Sequence, residues 1–209
     1  MQVIPGILEN NFGAIEEKLE IVKTFTNTVH IDLIDGKFCP NTSFLDPTPF
    51  SLYTKELFFE VHLMVDNPIQ FLEPFSKVGF KRFIGHVEKM PDIAEFVAKG
   101  QILGEVGLAI DLPTDINSIK ASFEDLDVIL VMGVTAGTSG QTFMQQTLEK
   151  IKALRAKTAI PIEVDGGIND KNIVEIKNKG ANRFVTTSFV FGDPNPANAY
   201  KTLDSLVSV

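Results

Sequence analysis

Short apolar runs alternate with longer amphipathic stretches from one end of this chain to the other. Residues 3–8 predict a first strand, and Asn11 caps a helical pattern carried by Ile15, Leu19, Ile21 and Val22. Residues 28–34 predict a second strand, before a loop over 37–49 rich in Pro, Asn, Thr and Asp. A third strand over 58–65 is followed by a helix that Pro68 opens, through Phe71, Leu72 and Phe75. The fourth covers 81–87, with Pro91 opening a helix through Ile93, Phe96 and Val97. The fifth covers 106–110, and Pro113 leads a helix through Ile116, Ile119 and Phe123. A sixth strand over 128–134 precedes a glycine-bearing loop and a helix through Leu148, Ile151 and Leu154. The seventh, 160–164, runs into Gly166-Gly167 and a helix through Ile173 and Ile176. The eighth, 183–187, precedes a closing helix through Leu203 and Leu206.

Eight strand–helix units in 209 residues, with no linker or break in composition, predict one α/β domain over 1–209, a (β/α)8 barrel. An open doubly wound sheet would call for Gly-x-Gly-x-x-Gly after its first strand, where this chain has Leu8-Glu9-Asn10-Asn11-Phe12-Gly13. A net charge of −8 argues against a nucleic-acid backbone as partner, so an anionic ligand must be held by local donors and helix ends. The lone Cys39 excludes an internal disulfide and fits a reducing compartment. Glu9, Glu16, Glu17 and Glu20 leave no room for a signal peptide in residues 1–20, and no window approaches a membrane span. The expectation is a cytoplasmic protein with no membrane partner.

In the barrel reading, the second strand stands out. Along His30-Ile31-Asp32-Leu33-Ile34-Asp35-Gly36, alternation puts His30, Asp32 and Ile34 on one face and Ile31 and Leu33 on the other. With Ile31 and Leu33 turned to covering helices, an imidazole and a carboxylate point inward. Neither is cheap to bury unless paired or bound to a cation. A core histidine bonded to a carboxylate would satisfy that as well as a metal ligand. His62 falls near the end of the third strand, Asp165 ends the seventh, and His86 and Glu88 end the fourth. The chain has three histidines, and all are expected at strand C-termini, where (β/α)8 barrels place their active sites. Two histidines and two aspartates at one mouth form a mixed N/O set suited to Zn, Fe, Mn or Co.

The motifs together resemble the ribulose-phosphate 3-epimerase family, the pentulose- and hexulose-phosphate 3-epimerases. They include Pro5-Gly6-Ile7-Leu8, the stretch from His30 to Gly36 with Phe38, Pro40 and Asn41, and Val61-His62-Leu63-Met64-Val65. His86-Val87-Glu88, Gly107-Leu108-Ala109, Val131-Met132, Gly140-Gln141, Glu163-Val164-Asp165-Gly166-Gly167 and Ser188 to Gly192 continue the order. The resemblance implies an isomerase of carbohydrate metabolism, of the pentose phosphate pathway, epimerising carbon 3 of a ketose phosphate (D-ribulose 5-phosphate to D-xylulose 5-phosphate). It implies one divalent metal (Zn, Fe, Mn or Co) on His30, Asp32, His62 and Asp165, with Asp32 and Asp165 as proton carriers, and a homo-oligomer. Such chemistry takes a proton α to a carbonyl and returns it on the opposite face, so it needs one ionised and one protonated group flanking the carbon. A divalent ion stabilises the charge of the cis-enediolate.

The phosphate end departs from the family pattern. In place of Pro-Gly-Phe-Gly-Gly-Gln the chain reads Ala136-Gly137-Thr138-Ser139-Gly140-Gln141, and in place of Gly-Ser it reads Thr187-Ser188. With Gly166 and Gly167, these backbone N–H groups and hydroxyls are the expected phosphate contacts. Gly6 replaces the usual serine, and Ile34 the usual methionine. Asp111-Leu112-Pro113-Thr114 replaces a Pro-Gly-Thr turn. Gly6, Met64, His86 and Met132 are expected to line the substrate pocket. The alternatives are a 3-epimerase of a hexulose 6-phosphate such as allulose 6-phosphate, and a non-catalytic sugar-phosphate-binding barrel.

Overall fold

In the computed structural model, which describes residues 1–208, eight parallel strands close on themselves in chain order. They are β1 (Gln2–Ile7), β2 (Thr28–Ile34), β3 (Phe58–Met64), β4 (Arg82–His86), β5 (Glu105–Ile110), β6 (Val128–Met132), β7 (Ile162–Asp165) and β8 (Arg183–Thr186). The cylinder closes where β1 meets β8, with Gln2 opposite Arg183 and Pro5 opposite Thr186. The barrel expected from the apolar pattern is therefore present.

Around it lie α1 (Phe12–Val22), α2 (Ile69–Val78), α3 (Ile93–Leu103), α4 (Thr147–Arg155), α5 (Ile173–Asn178), α6 (Ser188–Phe191) and α7 (Pro196–Val207). Asn11 caps α1, its side chain accepting from the Ala14 N–H at 2.9 Å. The cap of α3 is Asp92 and not Pro91, because only Asp92 offers a side-chain acceptor, to the Glu95 N–H at 2.9 Å. One expected helix is missing. Between β5 and β6 the described residues form two separate 3-10 turns, Ile116–Ser118 and Phe123–Asp125. The side chains of Asp115 and Ser122 accept from the N–H groups of Asn117 and Glu124, so each turn is capped where it starts. Short polar side chains bonding their own backbone compete with helix extension.

Strand alternation divides the interior in two. Val29, Ile31 and Leu33 of β2 face outward and pack with Leu19 and Val22 of α1 in the large helix-facing core. Ile34, Met64, Ile84, Ala109, Leu130 and Met132 point into the barrel and form a smaller apolar cluster. Towards the strands' N-terminal ends the filling becomes ionic. Glu60 and Glu163 are fully buried, with Arg82 and Arg183 nearly so. Register sets Glu60 opposite Arg82 and Glu163 opposite Arg183. Arg82 and Arg183 both donate to Glu60 Oε2, and Arg183 Nε donates to Glu163 Oε2 at 2.6 Å. Burial pushes the Glu163 carboxyl up, but the Arg183 charge and the hydrogen bond with His30 hold it well below the usual range.

Candidate active site

One layer above these ion pairs, β2 contributes His30 and Asp32, β3 contributes His62 and β7 contributes Asp165. Register places Asp32 directly opposite His62. One donor atom of each of the four lies within 4.8 Å of every other. His62 Nδ1 is 2.9 Å from Asp32 Oδ1, His30 Nε2 is 3.3 Å from the same oxygen, and His62 Nδ1 is 3.4 Å from Asp165 Oδ2. Both imidazoles are fully buried, while the two carboxylates keep a narrow opening to the mouth.

Each ring is held from behind. His30 Nδ1 lies 2.7 Å from Glu60 Oε1. Nδ1 is thereby turned to Glu60, and Nε2 is aimed at Asp32. His62 Nε2 contacts His86 Nε2 at 2.9 Å, which leaves His62 Nδ1 to face the two aspartates. Two aimed ring nitrogens and two carboxylates make a donor set that fits a divalent first-row ion. His30, Glu60 and Glu163 form a second close group. There Arg82 and Arg183 already neutralise the carboxylates, so the group reads as the ion-pair layer.

The two aspartates diverge in proton affinity. Burial pushes Asp32 up, but hydrogen bonds with His30 and His62, and their charge, outweigh it and hold its pKa well below the usual range. Burial also pushes Asp165 up, and the neighbouring Asp32 charge adds to it, so its net shift is upward. The two shifts run in opposite directions, the arrangement that an acid and base pair requires.

Asp32 and Asp165 floor a cleft of about 460 Å³ empty volume, walled by Met64 and Met132. Its rim contains Gly137, Thr138, Ser139 and Gly140 from the β6–α4 loop, Gly166 and Gly167 after β7, and Thr187 and Ser188 after β8. All eight residues expected at the phosphate end thus meet at one rim. Asn41 pins the first loop, donating to Gly137 O at 2.8 Å and Thr138 Oγ1 at 2.9 Å. Gly166 and Gly167 adopt φ of 105° and 71°. A Cβ on Gly167 would come within 2.5 Å of the Phe143 backbone nitrogen, so glycine is needed there for conformation and for space.

Three placements differ from expectation. His30 is the third residue of β2 and not at its C-terminus; its ring reaches the cluster from the layer below. His86 does not line the cleft but stands behind His62, fully buried. Gly6 is also absent from the wall, because Thr187 fills its space: a Cβ there would lie 2.6 Å from Thr187 Oγ1. Reasoning from the strand ends overlooked Glu60, although a signal was present. Glu60 precedes His62 by two residues, as Glu163 precedes Asp165, so both carboxylates share the inner face with the site residues.

The profile of the Ribulose-phosphate 3 epimerase family matches residues 2–191. The chain is 35% identical to the ribulose-phosphate 3-epimerase of Chlamydia pneumoniae over 86% of its length and 81% of that protein. It is 32% identical to the cytoplasmic isoform of ribulose-phosphate 3-epimerase from Oryza sativa subsp. japonica, covering 97% of this chain and 92% of that one. Identity to the Bacillus subtilis ribulose-phosphate 3-epimerase is 30%, over 95% and 96%. Among solved structures, KGPDC from Streptococcus mutans superposes with a TM-score of 0.75 at 12% identity, covering 99% of this chain and 96% of that one, a likeness of fold alone. With a profile match over residues 2–191 and its His30, Asp32, His62 and Asp165 cluster at the barrel mouth, the chain belongs to the ribulose-phosphate 3-epimerase family.

Proposed function

We propose that this chain, an isomerase acting on a sugar phosphate, interconverts D-ribulose 5-phosphate and D-xylulose 5-phosphate, one of Asp32 and Asp165 removing the carbon-3 proton while the other supplies its own to the opposite face. The observation that carries the mechanism is the pair itself. Two buried carboxyl groups from strands on different sides of the mouth, pushed apart in proton affinity, share the floor of one cleft. Ionised Asp32 removes the carbon-3 proton from one face, and Asp165, holding a proton, delivers it to the other. The proton delivered is the one Asp165 held, so the turnover ends with Asp32 protonated and Asp165 ionised, and in the reverse direction the roles exchange. His30, Asp32, His62 and Asp165 would hold a divalent ion, which when bound supplies Lewis-acid stabilisation of negative charge developing on the substrate oxygens. Met64 and Met132 keep an apolar wall beside the reacting carbon. The rim of Gly137–Gly140, Gly166, Gly167, Thr187 and Ser188 would receive the phosphate through backbone N–H groups and hydroxyls, since no residue lining the cleft is Lys or Arg.

A hexulose 6-phosphate is the less favoured substrate, because the curated relatives matched over most of this chain are ribulose-phosphate 3-epimerases. A panel of ketose phosphates followed by proton NMR tests the assignment. Ribulose 5-phosphate should be turned over fastest, and failure to convert it in the presence of Zn, Fe, Mn or Co would refute the substrate. The purified protein should carry about one divalent ion per chain, and His62→Ala should strip it sharply by removing a ligand whose ring nitrogen is already aimed at the cluster. Elemental analysis reads both; a metal-free wild type whose activity resists chelators would count against the four-residue site.

A further inference from the structure

We infer that Glu88 is a positioning residue for the cluster: acting through His86, it holds His62 in the tautomer that leaves the Nδ1 lone pair free for an ion. The inference rests on the reading above that the cluster holds a divalent ion, and it adds a residue outside the four.

Glu88 lies in the 3-10 turn Val87–Lys89 that follows β4 directly. Its two carboxylate oxygens have separate duties. Oε1 accepts from the Asp111 N–H at 2.7 Å, and Oε2 lies 2.9 Å from His86 Nδ1. An ionised carboxylate cannot donate, so His86 Nδ1 must carry the hydrogen. The opposite nitrogen, His86 Nε2, is 2.9 Å from His62 Nε2. When His62 gives its Nδ1 lone pair to an ion, its hydrogen sits on Nε2, and His86 Nε2 is the atom placed to accept it. The two ring planes are inclined by 26° with centroids 4.9 Å apart. Phe38 packs on His86 at a centroid distance of 4.6 Å and limits its rotation. Burial pushes the Glu88 carboxyl up, but the hydrogen bond with His86 outweighs it and brings the pKa down to about 2, so the acceptor stays charged. Every link in the relay then has one allowed direction.

Glu88→Gln tests this with little change of shape. The Asp111 N–H is fixed in the backbone and needs an acceptor, so the amide oxygen should turn to it and the NH₂ should face His86. Nδ1 of His86 then becomes the acceptor, its hydrogen moves to Nε2, and His62 must accept there and carry its own hydrogen on Nδ1. Metal affinity should fall about 10- to 100-fold, as for other groups that orient a ligand. Glu88→Ala, which removes the carboxylate without imposing a reversed donor, should lose less. A role in packing alone predicts the opposite order, because alanine removes more contacts.

The readouts are zinc affinity by competition with a chelator and histidine tautomers by ¹⁵N NMR, tractable with three histidines in the chain. The expected result is a His86 Nδ1–H in the wild type, an Nε2–H in Glu88→Gln, and zinc affinity ordered wild type, alanine, glutamine. An Nδ1–H retained in Glu88→Gln, or zinc affinity lower in the alanine variant than in the glutamine variant, would overturn the relay. Failure of the wild type to bind zinc would overturn the ion reading instead, while the tautomers of the metal-free proteins would still decide the relay.

Discussion

Metal-loaded Asp32→Asn and Asp165→Asn should each lose epimerisation by at least about 10³-fold, in the range that removal of an acid/base group produces. An amide can neither take the carbon-3 proton nor return it, and each turnover uses both faces. The surviving carboxylate still reaches one face. In deuterated water, each variant should therefore wash the carbon-3 hydrogen out of one pentulose phosphate only, and the susceptible epimer should swap between the two variants. Proton NMR follows both epimers in parallel. Because Asp32 and Asp165 also belong to the donor cluster, metal content must be confirmed before either result is read. Variants that are loaded yet exchange both epimers equally would indicate one mobile base, and the two-sided assignment would fall.

Glu60→Gln should cost about 3–5 kcal/mol of stability, the penalty for breaking a buried ion pair by removing one partner's charge. Glu60 accepts from both Arg82 and Arg183 and from His30 while fully buried. The substitution keeps the volume, so packing hardly changes, but two guanidinium groups lose a shared counter-charge. For a domain of this length the melting temperature should drop by roughly 10 °C, at about 2–4 °C per kcal/mol. Calorimetry on chelated protein isolates the effect from metal binding. A fall of less than about 1 kcal/mol would mean that water reaches the layer and screens the charges.

The barrel could be read from the sequence because each strand brings its own evidence. β2 was bounded at Thr28 and Ile34 by its apolar run alone, and those are its ends. The inward direction of His30 and Asp32 followed from the apolar character of Ile31 and Leu33. The same logic failed after β5, where Ile116, Ile119 and Phe123 keep helical spacing but Asp115 and Ser122 cap each turn separately. Spacing reports which side is apolar and is silent on whether the backbone is continuous. The four-residue cluster was legible because its members stand on inner faces near the mouth. The groups that orient it were not. Glu60 reaches His30 across a strand pair, and His86 reaches His62 through a ring-to-ring contact. Both depend on register, which no single strand encodes.

The space on the open side of Gly6 is shared with the side chain of Thr187. β1 and β8 are neighbours in the barrel, and a Cβ at position 6 would lie 2.6 Å from Thr187 Oγ1 and 2.9 Å from a Val185 methyl. A side chain at position 6 therefore needs the Thr187 hydroxyl and the Val185 methyl to turn aside, so substitutions at 6 and 187 should not add in their effects on stability. The coupling is short in space and joins residues near the two ends of the sequence.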